Sequence, residues 1–264
     1  VGSEMCIETD FIPLKDYKLT VVEAPSTFRP PFTISETGEI AAAVTGGTAY
    51  NGTAVRLESI VLDKETGTAV LGVSPTTFYD LLATNILYTA PREALDGIVT
   101  EHIRDRAEAF RDSHVPADAG ILEDKRFANA LAVSLIVEDI DGRLLLTERA
   151  ADLAIGAGLY GVSATRGVTV EDIDSAHPIL AAITNGSNIP FNKDNFTVQG
   201  IYLGDSKKQP TLFCKTVLDY SLVGEIPAPD GKNTSYLLVN KSNRETLDEL
   251  KVSEAARAHL NMTI

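Results

Sequence analysis

The sequence predicts an α+β protein: a mixed β-sheet sandwiched between helices (α/β/α), preceded by a small N-terminal α/β subdomain. Three observations predict it. Two strand pairs are built around turn residues, a long amphipathic helical pattern separates them, and short strand and helix patterns alternate from there to the C-terminus. The implied division is 1–125 for the subdomain and 126–264 for the core with its C-terminal helices.

Thr53 to Asp63 alternates apolar and polar residues, and Lys64-Glu65-Thr66-Gly67 supplies turn chemistry before Ala69 to Val73, so this stretch reads as a hairpin. Ser74-Pro75-Thr76-Thr77 then predicts a helix start, with proline near the first turn and Phe78, Leu81 and Leu82 at helical spacing. From Pro91 to His114, Leu95, Ile98, Val99, His102, Ile103, Ala107 and Phe110 share one face, which predicts a single helix.

Asn129 to Glu138 is a nearly continuous apolar run. It precedes Asp141-Gly142 and Arg143 to Arg149, a second hairpin. Gly156-Ala157-Gly158 reads as a loop into a short strand, and Pro178 to Asn185 as a short helix closed by Gly186. Strands are predicted at Phe196 to Leu203, Thr211 to Leu218 and Tyr236 to Asn240, and helices at Arg244 to Val252 and Glu254 to Leu260.

With 23 Lys and Arg against 37 Asp and Glu, the 264 residues carry a net charge of −14, so a nucleic-acid backbone or an anionic membrane is not an expected partner. No apolar run reaches the roughly 18 residues of a membrane span. Val1-Gly2-Ser3-Glu4 carries no targeting pattern, and Met5 is a candidate native start. Cys6 and Cys214 offer no disulfide framework, which fits a reducing, cytoplasmic setting. The histidines His102, His114, His177 and His259 have no zinc spacing with them and read as exposed or satisfied side chains. The Gly156 to Gly158 loop lacks the Lys and Ser or Thr of a phosphate-binding loop, and no Gly-x-Ser-x-Gly elbow is present.

The order of an Asp-Gly hairpin, a Leu-Leu-Leu-x-x-Arg strand, a Gly-rich loop, a short helix ending in glycine and two strands resembles the Nudix hydrolase fold. The family's box is Gly, five residues, Glu, seven residues, then Arg-Glu-hydrophobic-x-Glu-Glu-x-Gly-hydrophobic. Carboxylates one helical turn apart there hold divalent cations against a diphosphate.

Laid without gaps from Thr165 to Ser187, the box agrees at Glu171, Ala181 and Gly186. Thr165 replaces its first Gly, Ile179 its Arg, Leu180, Ile183 and Thr184 its three helix glutamates, and Ser187 its last hydrophobic residue. Aliphatic side chains cannot ligate a hard cation, so this is a degenerate box, and the usual metal-dependent hydrolysis is not expected from it. Tyr50-Asn51-Gly52, Arg56-Leu57, Leu71-Gly72-Val73 and Phe78 to Asn85 further resemble the segment ahead of the core in UDP-glucose-diphosphatase-type members. The resemblance spans about Tyr50 to Asp219.

It implies a nucleotide or nucleotide-sugar ligand and no expected cofactor. Ligand-facing candidates are Arg149, whose guanidinium suits two phosphate oxygens, Arg166, Tyr79 and Asn85. Plainer roles compete: surface ion pairs for the arginines, a core-edge ring for Tyr79 and a helix cap for Asn85. No catalytic residue is expected beyond Glu171 as a candidate. In the enzyme alternative a divergent pyrophosphohydrolase recruits Mg²⁺ through Glu171, Asp172 and Asp174, with Asp219 or Glu225. A third reading is a protein-interaction module without a small-molecule ligand.

Overall fold

The computed structural model describes residues 11–47, 49–115, 118–151, 157–185, 187–204, 207–225 and 233–264. Cys6, Gly156 and Gly186, each singled out in the sequence, lie outside them.

The protein is α+β, with a mixed eight-stranded sheet and a smaller mixed sheet. In chain order the elements are β1 (Phe11–Pro13), β2 (Lys18–Glu23), α1 (Ile34–Thr45), β3 (Thr53–Asp63) and β4 (Thr68–Thr77), followed by α2 (Phe78–Leu81), a π-turn at Leu82–Ile86, α3 (Leu87–Thr89) and α4 (Glu101–Arg111). Then come β5 (Ala132–Glu138), β6 (Arg143–Arg149), β7 (Tyr160–Gly161), β8 (Ala164–Gly167), α5 (Val170–Ile173) and α6 (Pro178–Thr184). The chain continues through β9 (Thr197–Leu203), β10 (Pro210–Val217), β11 (Asn233–Asn240), α7 (Arg244–Glu249) and α8 (Glu254–Thr263). The small sheet runs β2-β4-β3 and the large one β1-β9-β10-β5-β6-β11, with β10 parallel to β5.

Both predicted hairpins form. β3 pairs with β4 along its whole length, and Gly67 takes the left-handed conformation in the turn (φ 63°). β5 and β6 pair only next to their turn, at Val137↔Leu145 and Glu138↔Leu144, and then diverge. β7 pairs with β6 and β8 with β5 inside that split. Buried Ser163 bridges the fork, its Oγ accepting from Val137 N at 2.8 Å and donating to Leu145 O at 2.5 Å.

β5 is buried along its entire length because helices cover both faces. Val133, Leu135 and Val137 enter the main core with Ile179, Ala182 and Ile183 of α6. Ile136 faces the other way, into a cluster with Leu247 of α7 and Ala256 and Leu260 of α8. Period two alone distributes the strand between the layers. The main core also holds Ile12, Val55, Leu57 and Leu71, and β1 pairs with β9, so residues on either side of position 125 share one hydrophobic cluster.

Four sequence expectations are corrected. Ser74 to Thr77 is strand, not helix. β2 ends its pairing at Val73, so Pro75 meets no ladder acceptor on that side, and Thr77 is the N-cap of α2, with Asp80 completing a capping box. The helix expected from Pro91 to His114 is broken: Arg92–Gly97 is 3₁₀, Ile98 and Thr100 are extended, and α4 begins at Glu101. The break lets Gly97 approach Ala43 of α1, where an added Cβ would stand 3.1 Å from the Ala43 Cβ, and sends Ile98 into the core. Val99, assigned to the apolar face, is exposed. The helix expected to reach Val252 stops at Glu249, where Arg257 donates to the Leu247 and Leu250 carbonyls.

At Gly200 on β9 a Cβ would overlap the Phe11 ring and the Ile12 carbonyl of β1. Gly200→Ala is therefore expected to cost about 1–3 kcal/mol through overpacking. Hydrogen exchange should locate the loosening at Phe11–Pro13, and unchanged protection there would refute the account.

Candidate binding cavity

A cavity of about 410 Å³ opens on the α8 side of the large sheet. β5 contributes Ser134, the end of β6 Arg149, β8 Thr165 and β9 Tyr202. The β9–β10 connection brings Lys207 and Gln209, and the first turn of α8 Glu254. Ile86 of the π-turn, Pro91 and Leu159 add apolar wall.

Among the described residues two cations face this cavity, in a chain of net charge −14. Burial pulls Arg149 below its ordinary pKa, and a guanidinium stays charged regardless. Lys207 is pulled to about 8 by burial first and then by the positive charge of Arg149, with Glu254 partly offsetting both. Tyr202 Oη donates to Glu254 Oε1 at 2.9 Å across the same wall.

Beneath Ser134 lies a polar relay. Ser134 Oγ and His259 Nδ1 are 2.9 Å apart, and His259 Nε2 lies 3.1 Å from Gln199 Oε1. Because Gln199 presents its carbonyl oxygen, the ring carries its proton on Nε2, and Nδ1 accepts from the Ser134 hydroxyl. The lone pairs of Ser134 are then left for the cavity side. His259 is fully buried and stacks on Phe213 at 4.2 Å; burial holds its pKa down at about 3, so it is neutral here.

Of the sequence candidates, Arg149 is in the cavity. Asn85 is not exposed to it: fully buried, it accepts from Asn129 N and donates to Asn129 Oδ1 and to Lys208 O at 2.7 Å. It therefore fixes the loop that carries Lys207 and Gln209, rather than capping a helix or meeting a ligand. Tyr79 donates its hydroxyl to Ala49 O. Arg166 lies outside the cavity lining; its NH1 reaches both Asp172 oxygens at 3.2 Å and Ala182 O at 2.8 Å, tying β8 to α6.

The acids near position 171 do not converge. Asp172 is buried and occupied, accepting from Thr169, Arg166 and Asn185 as part of the α5 capping box. Glu171 is exposed and accepts from Thr53 Oγ1, while Asp174, Asp219 and Glu225 are also exposed. Among the described residues no three His, Cys, Asp or Glu side chains are grouped to hold a metal ion.

Sequence reasoning missed Lys207, Glu254, Tyr202 and the Ser134–His259–Gln199 relay. The paired Lys207-Lys208 between two strand patterns was the available signal for the first. The relay joins residues 125 positions apart, which no local pattern encodes.

No family model and no curated protein matches the chain. Among solved structures, a Nudix hydrolase from Alicyclobacillus acidocaldarius is 12% identical over 50% of this chain and 89% of its own, with a TM-score of 0.38. A MutT protein from Methanosarcina mazei Go1 is 12% identical over 50% and 90%, with a TM-score of 0.36. The C-terminal domain of mouse MUTYH, solved in complex with human PCNA, is 17% identical over 50% and 86%, with a TM-score of 0.37.

Proposed function

We propose that the chain is a divergent Nudix-fold protein that binds the diphosphate of a nucleotide or nucleotide sugar in this cavity, without the family's metal-dependent hydrolytic centre. The carrying observation is the placement of Arg149 beside Lys207 on one partly apolar wall. Half-buried cations such as these bind phosphate oxygens through short charge-assisted hydrogen bonds, and a local positive site offsets the repulsion of the acidic surface. The apolar residues suit a base, and Ser134, Gln209 and Thr165 suit sugar hydroxyls. Where the box would place glutamates, Ile183 packs into the core and Leu180 and Thr184 offer no carboxylate.

Calorimetric titration with UDP-glucose and related nucleotide sugars, with and without Mg²⁺, tests both halves. Binding independent of Mg²⁺ is expected, and Arg149→Ala should weaken it roughly ten- to a hundredfold. Failure of every nucleotide sugar to bind refutes the ligand; Mg²⁺-dependent turnover refutes the missing centre.

A further inference from the structure

We propose that Lys207 is a carbonyl-reactive lysine, its amine forming an imine with a small aldehyde or ketone whose anionic group is seated on Arg149. The inference uses the same cavity but needs no nucleotide.

Its basis is a cluster of four groups on one wall. Lys207 and Arg149 face the same 410 Å³ space, and Tyr202 and Glu254, hydrogen-bonded to each other at 2.9 Å, complete it. A lysine becomes a nucleophile when an apolar surround and a neighbouring cation disfavour its ammonium form. Both conditions are met here: burial and then the positive charge of Arg149 on β6 bring Lys207 to about 8, with the negative charge of Glu254 on α8 partly offsetting them. Lys208 is the internal contrast: it is not part of the cavity wall, and its carbonyl is held by Asn85.

The chemistry balances without an oxidant or reductant. The neutral amine of Lys207 attacks the carbonyl carbon while the C=O π pair moves to oxygen. Glu254, assisted by Tyr202, takes a proton from nitrogen and returns it to that oxygen, giving a carbinolamine. A proton drawn from solvent through the same pair then protonates the carbinolamine hydroxyl, water leaves as the nitrogen lone pair forms C=N, and the iminium nitrogen gives its proton to Glu254 to leave the imine. Arg149 holds the phosphate or carboxylate so that the carbonyl carbon meets the amine.

The test is reductive trapping. The folded chain is incubated with dihydroxyacetone phosphate or with pyruvate and cyanoborohydride, and adducts are located by peptide mass mapping. One dominant adduct on Lys207 is expected, with half-maximal labelling near pH 8. Lys207→Arg should abolish it, and Arg149→Ala should slow it roughly tenfold at low probe concentration and move the half-maximal pH upward, because the neighbouring positive charge is gone. Comparing the two probes tells which anion Arg149 prefers. Labelling spread over surface lysines, or no adduct from either probe, overturns the proposal; the wild-type map decides this even if a variant fails to fold. If nucleotide sugars fail to bind and Lys207 is still trapped, this inference stands and the nucleotide reading falls.

Discussion

Arg56→Ala is expected to destabilise the fold by about 3–5 kcal/mol, because it strands a carboxylate inside the protein. The side chains of Arg56 and Glu58 are 1% and 3% exposed and form a direct ion pair on β3. Arg56 also donates through Nε to Phe127 O at 3.1 Å and through NH1 to Thr27 Oγ1 at 3.2 Å. Glu58 accepts from Thr27 N, Thr27 Oγ1 and Ser74 Oγ. Burial pushes the Glu58 carboxyl up, but the Ser74 and Thr27 hydrogen bonds and the Arg56 charge hold it below its ordinary range. The knot thus joins the small sheet to the segment leading into β5, where Leu131 N donates to Val55 O at 2.8 Å. Removing one charge leaves the other without its counterion. Replacing both, as in Arg56→Met with Glu58→Leu, should recover most of the loss. Urea unfolding of the single and double variants measures this, and a single-variant loss below about 1 kcal/mol would refute it.

Elements carried by local chemistry were legible in the sequence. Gly67 and Gly142 both take positive φ at hairpin turns, and the strands around them fall where alternation places them. α1 was missed although Thr33 and Glu36 form a capping box readable in the sequence, because its Ala-rich body lacks a sharp apolar stripe. β1 was missed because three residues carry no period, and it exists through pairing with β9. The break before α4 depends on contact between Gly97 and Ala43, a tertiary fact that a continuous helical pattern hides. Arg149 was legible as a strand-end cation, whereas the groups that make its surroundings reactive arrive from β9, its following loop and α8.

Acid is expected to weaken the fold by about 2–3 kcal/mol between pH 7 and 4.5 through His259 alone. Burial places its folded pKa at about 3 against an ordinary 6.5; a hydrogen bond from the ring to the Cys214 backbone opposes the shift and the Lys215 charge adds to it. The unfolded chain therefore binds more protons between these values. This stability is fully present above about pH 6.5 and is lost progressively as pH falls towards about 3. Asp139 and Asp172 are also held below their ordinary range, by hydrogen bonds that outweigh burial, so their contributions are lost with acid too, but in the carboxylate window at lower pH. Urea unfolding at pH 7 and 4.5 isolates the histidine: His259→Gln should be less stable at pH 7 yet lose about 2–3 kcal/mol less on acidification. Equal losses in both proteins would sink the assignment. The same proton links stability to the cavity: once Nδ1 is protonated it becomes a donor, and Ser134 Oγ must accept from it instead of donating. The Ser134 hydroxyl would then turn its hydrogen towards the cavity, so any ligand that relies on Ser134 as an acceptor should keep its affinity for the folded protein at pH 4.5 and lose it only near pH 3, where the folded ring itself takes up the proton.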